Sequence, residues 1–365
     1  MTADAVGGVW SHALELSRAL HREGVHVALA VLGPRPTEVQ QRQARAVSGL
    51  SLHLAPFRLP WMEDPWDDVA RAGDRLLALA EEVGAELVHL SEPVFASLPF
   101  GLPTVAVGHS CVLSWYAAVR GEAAPAEWDR YRVAMRAGLT AADQVVAPSH
   151  AMLAALRRHY GIRGGSVVRN GRDGSLYPQR AKEPVVLTAG RLWDPAKNVA
   201  ALAAAAEQLE WPVHAAGDTH GPEGDAMPTA GPIELLGALD PEAMADAMAR
   251  AAIYALPARY EPFGQTVLEA ALAGCALVLG DIPSLRELWE GAAFFVSPED
   301  PAALGATIAV LIARRELRQD FATRARRRAL EYSPERMARG YGEIYARARE
   351  ARAGTEQAGR SAFAS

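Results

Sequence analysis

The stretch YEPFGQTVLE at residues 260–269 decides the fold prediction. A short apolar run at 253–256 precedes it and is typical of a buried parallel strand. Residues 266–272 have a helical pattern, and a second apolar run follows at 276–279. A strand, a glycine-bearing turn and a helix in this order direct the first N–H groups of the helix at one point, which favours an anionic ligand.

Two glutamates bracket this turn, Glu261 in the loop and Glu269 within the helix. A carboxylate accepts hydrogen bonds through both oxygens, so each glutamate can hold a pair of neighbouring hydroxyls on a sugar or a ribose. An anion site flanked by two hydroxyl receptors is the arrangement that a nucleotide sugar requires. A surface loop with two solvated glutamates is the alternative, and the spacing alone does not decide between them.

Glu261 and Glu269, with Pro-Phe-Gly after the first, resemble the Glu-x7-Glu signature of the retaining glycosyltransferases of family 4, which have the GT-B fold. The resemblance implies that Glu261 contacts the transferred sugar and that Glu269 contacts the ribose of the nucleotide. It also implies that the helix beginning near Thr266 holds the donor diphosphate. The other donor-binding residues expected in this turn are Phe263, Gly264 and Gln265.

Composition limits the class of protein. A chain of 365 residues, half of them hydrophobic, suffices for two α/β domains with separate cores. The net charge of −6 gives no support for nucleic-acid binding. Cys111 and Cys275 match no metal or redox spacing and fit a reducing compartment. With no evident signal peptide or membrane span, we predict a soluble cytoplasmic enzyme, whose oligomeric state the sequence does not define.

Short β-type runs alternate with helical periodicity, which predicts an α/β protein with parallel sheets and helical crossovers. The strands predicted in the first half are 25–31, 50–54, 86–90, 104–107, 144–147 and 166–168. Those predicted in the second half are 184–188, 212–215, 233–235, 253–256, 276–279 and 293–296. Together with the GT-B resemblance, this pattern predicts two Rossmann-like domains facing a cleft.

The polar stretch 169–183 is the predicted linker. The expected domains are therefore 1–172, on the acceptor side, and 173–332, which binds the nucleotide sugar. Ser333 caps a last helix that has Pro334 at its first position. The resemblance implies that this helix returns to the N-terminal domain, and the end of segment 333–365, from about Ala353, is predicted to be a disordered tail.

The start of the chain is unusual. Gly7 and Gly8 resemble the family's glycine loop after the first strand, where the backbone approaches the donor diphosphate and the acceptor. Only residues 1–6 precede this loop, and Thr2 and Asp4 fit an interior strand poorly. We therefore expect part of the first strand to be missing, which would leave a gap in the middle of a parallel sheet. Either the strand is truncated, or Met1 is an internal methionine of a longer protein.

The segment AGRLWDPAKN at 189–198 follows the first strand of the second half. A departing nucleoside diphosphate develops negative charge, which Arg and Lys can stabilise in place of a metal ion. A basic surface loop is the alternative. The segment resembles the family's Gly-Arg-Leu…Lys-Asn element, which places Gly190 at the donor and implies that Arg191 and Lys197 contact its phosphates. No Asp-x-Asp type cluster follows a strand, so we expect no metal and no cofactor.

His109 follows a predicted strand of the first half, at the end where ligands of open α/β sheets bind. A structural histidine is the alternative. The family commonly has a histidine at this place, near the donor sugar. The resemblance therefore implies that His109 is a positioning hydrogen-bond donor, which adds it to the catalytic group of Glu261, Arg191 and Lys197.

Three further features carry weaker inferences. RNGRD at 169–173 resembles the family's Asn-Gly-Val-Asp hinge element, but Arg169 and Arg172 replace its usual proline and apolar residue. The arginine-rich segment 314–328 contains interspersed acids, which favours a solvated helix face over a membrane-facing patch. Sugar rings stack on aromatic faces, which suits a carbohydrate, glycosidic or small-molecule acceptor. The aromatic positions of the first half are Trp61, Trp66, Trp115, Tyr116 and Trp128, with Arg120 among them, and core packing explains most of these aromatics equally well.

We predict a retaining, metal-independent hexosyltransferase of carbohydrate biosynthesis that moves a sugar from a nucleoside-diphosphate sugar to an acceptor hydroxyl. The resemblance implies front-face attack, in which a donor phosphate oxygen takes the acceptor proton. A GT-B sugar phosphorylase or sugar-nucleotide epimerase stays open as an alternative, as does a catalytically silent sugar-nucleotide-binding protein. The sequence does not define the base, the sugar, the acceptor or the linkage.

Overall fold

A computed structural model describes residues 1–221, 224–227 and 231–363, with the side chains of 355–363 left aside. The chain divides into two units. The first comprises Met1–Ser114, Ala123–Gly171 and Pro334–Ser365, and the second comprises Trp115–Glu122 and Arg172–Ser333. The segment 115–122, which the sequence analysis assigned to the first domain, therefore belongs to the second. A hydrogen bond from the Trp115 indole to Asp194, 3.1 Å long, anchors it there.

The first unit contains a three-stranded sheet of order β1-β2-β3 and a four-stranded sheet of order β4-β5-β6-β7, both parallel. Helix α4 includes residues of both units. The elements in chain order are β1 (Thr2–Asp4), α1 (Gly8–Arg22), β2 (Val27–Leu32), α2 (Glu38–Arg45), β3 (Leu50–Ala55), α3 (Trp66–Glu82), β4 (Val88–Leu90), β5 (Thr104–Val107), α4 (Val112–Val119), α5 (Asp129–Ala141), β6 (Gln144–Ala147), α6 (His150–Tyr160) and β7 (Ser166–Val167).

The second unit contains a six-stranded parallel sheet of order β10-β9-β8-β11-β12-β13. Its elements are β8 (Glu183–Ala189), α7 (Val199–Ala206), β9 (Val213–Ala216), β10 (Ile233–Gly237), α8 (Pro241–Arg250), β11 (Ala251–Leu256), α9 (Gln265–Leu272), β12 (Ala276–Gly280), α10 (Pro283–Trp289), β13 (Phe294–Val296), α11 (Pro301–Ala313) and α12 (Arg315–Ala329).

Helices cover both faces of this six-stranded sheet. Along β11, Tyr254 and Leu256 join a core with α8, α9 and α12, whereas Ile253 and Ala255 join a second core with α7 and α11. All residues of β11 and β12 are buried. A strand that is covered on both faces needs apolar side chains at every position. This need explains why the central strands are uninterrupted apolar runs in the sequence.

The last helix, α13 (Pro334–Phe363), belongs to the first unit, as the resemblance implied. It begins at the predicted proline, and Met337, Tyr341 and Ile344 are buried in the core that contains α1 and β2. The helix extends through residues 353–363, which we predicted to be a disordered tail. Alanine, arginine, glutamate and glutamine are strong helix formers, so this segment can continue the helix without an apolar stripe. The last two residues lie outside the described part of the chain.

Strand β1 forms despite its polar residues. Thr2–Asp4 pairs with β2, and the Thr2 hydroxyl accepts a hydrogen bond from the Ser91 N–H at 2.9 Å. The Asp4 carboxylate accepts one from the Val6 N–H at 2.8 Å. These bonds satisfy the two buried side chains. β1 lies at the edge of its three-stranded sheet rather than in its interior.

A cavity of about 1330 Å³ lies next to Met1. The N-terminal ends of β2 and β4, together with parts of α3 and α13, line this cavity. The Met1 ammonium donates to the Ala28 carbonyl at 2.8 Å, and burial lowers its pKa to about 5.

Candidate active site

The loop after β8 is organised by Asp194. One carboxylate oxygen accepts hydrogen bonds from the Ala196 N–H at 2.9 Å and from the Trp115 indole at 3.1 Å. The other oxygen pairs with the Arg191 guanidinium at 2.9 Å. Burial alone would raise the pKa of Asp194, but the charges of Arg191 and Lys197 outweigh burial and the pKa is lowered. Asp194 is therefore an anion that fixes the loop carrying both predicted phosphate ligands.

Lys197 and Glu261 form a largely buried ion pair. The Lys197 ammonium lies 2.6 Å from Glu261 Oε2, with side chains 14% and 13% exposed. Glu261 Oε1 accepts the Gly264 N–H at 2.8 Å. Burial alone would raise the pKa of Glu261, but Lys197, Arg191 and the Gly264 N–H outweigh burial and lower the pKa. Glu261 is therefore ionised. Its Oε1 also accepts the Phe263 N–H at 3.4 Å, so the lone pair left for a further donor is on Oε2.

The N-terminus of α9 is open to a ligand. Gly264 adopts the left-handed conformation, with φ of +88°, and no side chain caps the helix. The first N–H groups of a helix have no partner within the helix, and they carry partial positive charge. Within the described part of the chain, both polar atoms of the buried Gln265 amide also lack a hydrogen-bond partner. This turn can therefore bind an anion through its backbone and Gln265.

Tyr254 connects this turn to the loop after β8. Its hydroxyl lies 2.7 Å from Thr266 Oγ1 and 3.1 Å from the Ala189 carbonyl oxygen. The contact holds the end of β8 against the first turn of α9. Tyr254 was not among the predicted site residues, because the sequence shows it only as one hydroxyl within an apolar run.

Two glycines allow the loops after β8 and β9 to pack backbone against backbone. A Cβ added to Gly217 would lie 1.8 Å from the Gly190 carbonyl oxygen. Both glycines have positive φ, +143° for Gly217 and +146° for Gly190. The close approach leaves no room for a side chain at Gly217. Gly190, by contrast, is required mainly by its backbone conformation, because its nearest neighbour is the flexible Lys197 side chain.

Glu269 has an ion-pair partner that the sequence analysis missed. The Arg172 Nε lies 3.0 Å from Glu269 Oε1, and both side chains are largely buried. Arg172 is one of the two residues, with Arg169, that depart from the hinge element of the resembling family. This departure was the only sign in the sequence that Arg172 has a special role. Its partner Glu269 lies 97 positions away, so sequence spacing does not reveal the pair.

Two long segments of the sequence match models of known protein families. Residues 6–175 match the model of Glycosyltransferase Family 4, and residues 183–314 match the model of Glycosyl transferases group 1. The two matches together span most of the chain. The chain belongs to glycosyltransferase family 4. The predicted family, the GT-B class and the enzyme class are thereby confirmed. No curated protein matches the chain in sequence.

Solved glycosyltransferases share the fold. A sucrose-phosphate synthase from Thermosynechococcus elongatus matches with a TM-score of 0.75 at 20% identity, covering 94% of this chain and 98% of that one. HepE from Anabaena, crystallised with UDP-glucose, matches with a TM-score of 0.73 at 18% identity. The match covers 94% of this chain and 98% of that one. WaaG, a glycosyltransferase of lipopolysaccharide biosynthesis, matches with a TM-score of 0.67 at 15% identity. The match covers 94% of this chain and 99% of that one. At these identities the likeness establishes the fold alone.

The predicted site residues of this glycosyltransferase divide between the two units. In the second unit, Lys197 meets Glu261 and Thr266 meets the end of β8. Phe263 is buried in the core, with its ring edge-on to Tyr332 at a centroid distance of 5.9 Å. Its side chain therefore packs the turn against the core, and its predicted donor contact stays a prediction.

The first unit contains the other three predicted residues. Gly7 is the N-cap of α1, and Gly8 is its exposed first residue. His109 follows β5, with its ring edge-on to that of His12 at a centroid distance of 4.7 Å. Its Nε2 is buried and has no hydrogen-bond partner among the described residues. Burial lowers the pKa of His109 to about 4, so the ring is neutral at pH 7. Its role at the donor sugar stays a prediction.

A titratable carboxyl near the glycine loop also escaped the sequence analysis. Glu92 follows β4, and burial together with the charge of Asp4 raises its pKa to about 8. Both carboxyls lie at the C-terminal ends of parallel strands. Nothing in the sequence pattern distinguishes Glu92 from a solvated glutamate.

The buried histidines of the first unit make stability depend on pH. The pKa values of His12, His89 and His109 lie below the ordinary value of 6.5, because burial penalises their charged forms. The unfolded chain therefore binds more protons between about pH 6.5 and pH 4, and the free energy of unfolding falls as pH drops through this window. His109 alone contributes about 3 kcal/mol. Glu92 opposes this trend between about pH 4.5 and pH 8, because the folded state keeps its proton.

Chemical denaturation between about pH 7 and about pH 4.5 checks this prediction. The His12 nitrogens have no hydrogen-bond partner in ordinary geometry, although the Asn170 side chain faces them. His12→Phe should therefore flatten the pH dependence, whereas His220→Phe, at an exposed position, should leave it unchanged. A profile that is flat in the wild type, or equally steep in His12→Phe, contradicts the account.

Proposed function

We propose that this protein transfers a sugar from a nucleoside-diphosphate sugar to an acceptor hydroxyl, with retention at the anomeric carbon and without a metal ion. The observation that carries the proposal is the ion pair of Lys197 and Glu261, 2.6 Å long, beside the open N-terminus of α9. The cation and the helix N–H groups can bind a diphosphate, and the carboxylate beside them can bind sugar hydroxyls. The solved HepE, which has the same fold, was crystallised with UDP-glucose and with UDP, and this supports a nucleotide-sugar donor.

The donor would bind along the loops of the second unit. The Lys197 ammonium has three N–H donors, and its bond to Glu261 leaves two for the diphosphate. Arg191, 39% exposed, and the first turn of α9 add further positive potential. Glu261 accepts hydroxyls of the transferred sugar, and Glu269 accepts those of the ribose. The roles that the family resemblance implies for His109, Gly7 and Gly8 remain part of the proposal.

Glu261 is better suited to binding than to nucleophilic attack. The Gly264 N–H and Lys197 engage its two oxygens, and its pKa is lowered. A carboxylate stabilised in this way is a weak base and a weak nucleophile. We therefore infer front-face attack. The bond from the anomeric carbon to the diphosphate oxygen breaks, the bond to the acceptor oxygen forms, and a donor phosphate oxygen takes the acceptor proton.

Charge stabilisation is the main catalytic contribution in this scheme. The leaving diphosphate gains negative charge as the glycosidic bond breaks, and preorganised cations stabilise that charge. Lys197 and Arg191 are preorganised by Glu261 and Asp194, respectively. Within the described residues, no three His, Cys, Asp or Glu side chains are grouped to hold a metal ion. Metal independence remains part of the proposal.

The setting of the reaction is also proposed. No helix in the described part of the chain combines the length and apolar character needed to cross a bilayer. Both cysteines are free thiols. Free thiols suit a reducing compartment, so we propose that the reaction takes place in the cytoplasm, on a carbohydrate, glycosidic or small-molecule acceptor.

A donor panel tests the proposal. We expect the wild type to release nucleoside diphosphate from one of UDP-glucose, GDP-mannose, ADP-glucose or dTDP-glucose, slowly with water and faster with sugar acceptors. Proton NMR of the product should show that the anomeric configuration is retained, and EDTA should leave the rate unchanged. Sugar-1-phosphate formation that depends on inorganic phosphate would favour a phosphorylase. Binding without turnover would favour the silent sugar-nucleotide-binding protein.

A further inference from the structure

Arg172 controls the environment of Glu269. Its Nε lies 3.0 Å from Glu269 Oε1, with side chains 12% and 9% exposed. A charged side chain with so little exposure is costly to bury unless it has a partner of opposite charge. The Arg172 guanidinium is that partner for Glu269. A charged carboxylate is also the stronger acceptor of hydroxyl hydrogen bonds.

Other contacts hold Arg172 in one orientation. Its backbone N–H donates to the Tyr332 carbonyl at 3.0 Å. Its Nε also lies 2.9 Å from the Tyr177 hydroxyl, and its guanidinium carbon lies 5.8 Å from the centre of the Tyr177 ring. Tyr177 is buried, and burial raises its pKa far above the ordinary value, so the hydroxyl stays neutral. The guanidinium is therefore fixed before any ligand binds.

We propose that Arg172 is a positioning residue for the ribose end of the nucleotide. It binds one oxygen of Glu269 and directs the other oxygen towards the two ribose hydroxyls. This inference rests on the proposed function, in which Glu269 is the ribose receptor. It predicts that discrimination between a ribose and a sugar without the 2′,3′-diol depends on Arg172 as much as on Glu269. Arg172 thus acts as a determinant of ribose recognition.

The test compares the dissociation constants of two ligands by titration calorimetry. They are the tightest binder among UDP, GDP and ADP, and the 2′,3′-dideoxy form of the same nucleotide. The full-length wild type should bind the ribose form at least about 10-fold more tightly, because a site built for hydroxyls rejects analogues that lack them. In Arg172→Met this ratio should fall below about 3-fold, through weaker binding of the ribose form alone. Arg180→Met, which breaks the exposed pair with Asp246, should keep the wild-type ratio.

Glu269→Gln distinguishes a failure of the role proposed for Arg172 from a failure of the proposed ribose site. A ratio that collapses in Glu269→Gln but not in Arg172→Met overturns the role of Arg172 and leaves the proposed function intact. A ratio unaffected by Glu269→Gln, or no binding of any of the three nucleotides, overturns the proposed ribose site itself. If Arg172→Met does not fold, Arg172→Lys replaces it, since lysine keeps a charge beside Glu269 but lacks the Nε contact. A wild-type ratio in Arg172→Lys then contradicts the proposal.

Discussion

Glu261→Gln should lower kcat/KM for sugar transfer by at least about 100-fold. Hydrogen bonds to a charged group contribute about 1.5–3 kcal/mol each, and the proposed role gives Glu261 a sugar hydroxyl in addition to its bond with Lys197. Glutamine keeps the size of the side chain and an acceptor for the Gly264 N–H, but it removes the charge that faces Lys197 at 2.6 Å. Steady-state release of nucleoside diphosphate measures the effect, with thermal stability recorded on the same preparation.

Glu299→Gln is the matched control for this variant. Glu299 pairs with Arg259 on the surface of the same unit, and its side chain is 70% exposed. Exposed pairs contribute about 0–1 kcal/mol, so the control should retain nearly wild-type kcat/KM and stability. A folded Glu261→Gln with near-normal transfer would show that Glu261 does not hold the transferred sugar.

Lys197→Met should lower kcat by about 100- to 1000-fold, the range typical of losing one preorganised group that stabilises charge in a transition state. It should also weaken binding of the nucleoside diphosphate, because the two N–H donors available to the phosphates are lost. Methionine retains most of the apolar stem, but it leaves Glu261 without its partner. Breaking such a pair costs about 3 kcal/mol of folding stability, so unfolding must be measured alongside the kinetics.

Lys182→Met is the charge-matched control, since Lys182 is the other lysine of the chain. Its ammonium donates to the carbonyls of Met248 and Ala273, away from the proposed donor contacts. This variant should lose stability but keep its affinity for the nucleotide and its kcat. An equal loss of nucleotide affinity in both variants would mean that general destabilisation, rather than phosphate binding, explains Lys197→Met.

The architecture was predictable because its central strands carry a strong signal. A strand with helices on both faces is apolar at successive positions, as in β11 and β12. Each of the six runs predicted in the second half overlaps an observed strand. Sequence patterns do not predict a strand whose buried polar side chains are satisfied by residues distant in the sequence. The buried Thr2 hydroxyl of β1 is satisfied by Ser91, 89 positions away, and no local pattern contains that contact.

The site was predictable only in part, for the same reason. Motifs identified Lys197 and Glu261 individually, and the structure shows that they form an ion pair across 64 positions of sequence. Asp194, which fixes the loop, is one acidic residue among 43 in the sequence. Tyr254 is hidden in an apolar strand, and Arg172 is visible only as a departure from the hinge element. Residues that orient other residues have weak sequence signals, because their role is defined by contacts through space.

The most direct test of the account is the thermal stability of the wild type and Lys197→Met with UDP, GDP, ADP and dTDP. A ligand that binds only the folded state stabilises it by about 2.7 kcal/mol at a hundred times its dissociation constant. The account predicts that one ribonucleoside diphosphate selectively raises the melting temperature of the wild type, and that this shift is largely lost in Lys197→Met but kept in Lys182→Met. No shift with any nucleotide in a folded wild type, or an undiminished shift in Lys197→Met, would contradict a donor site built on Lys197 and Glu261.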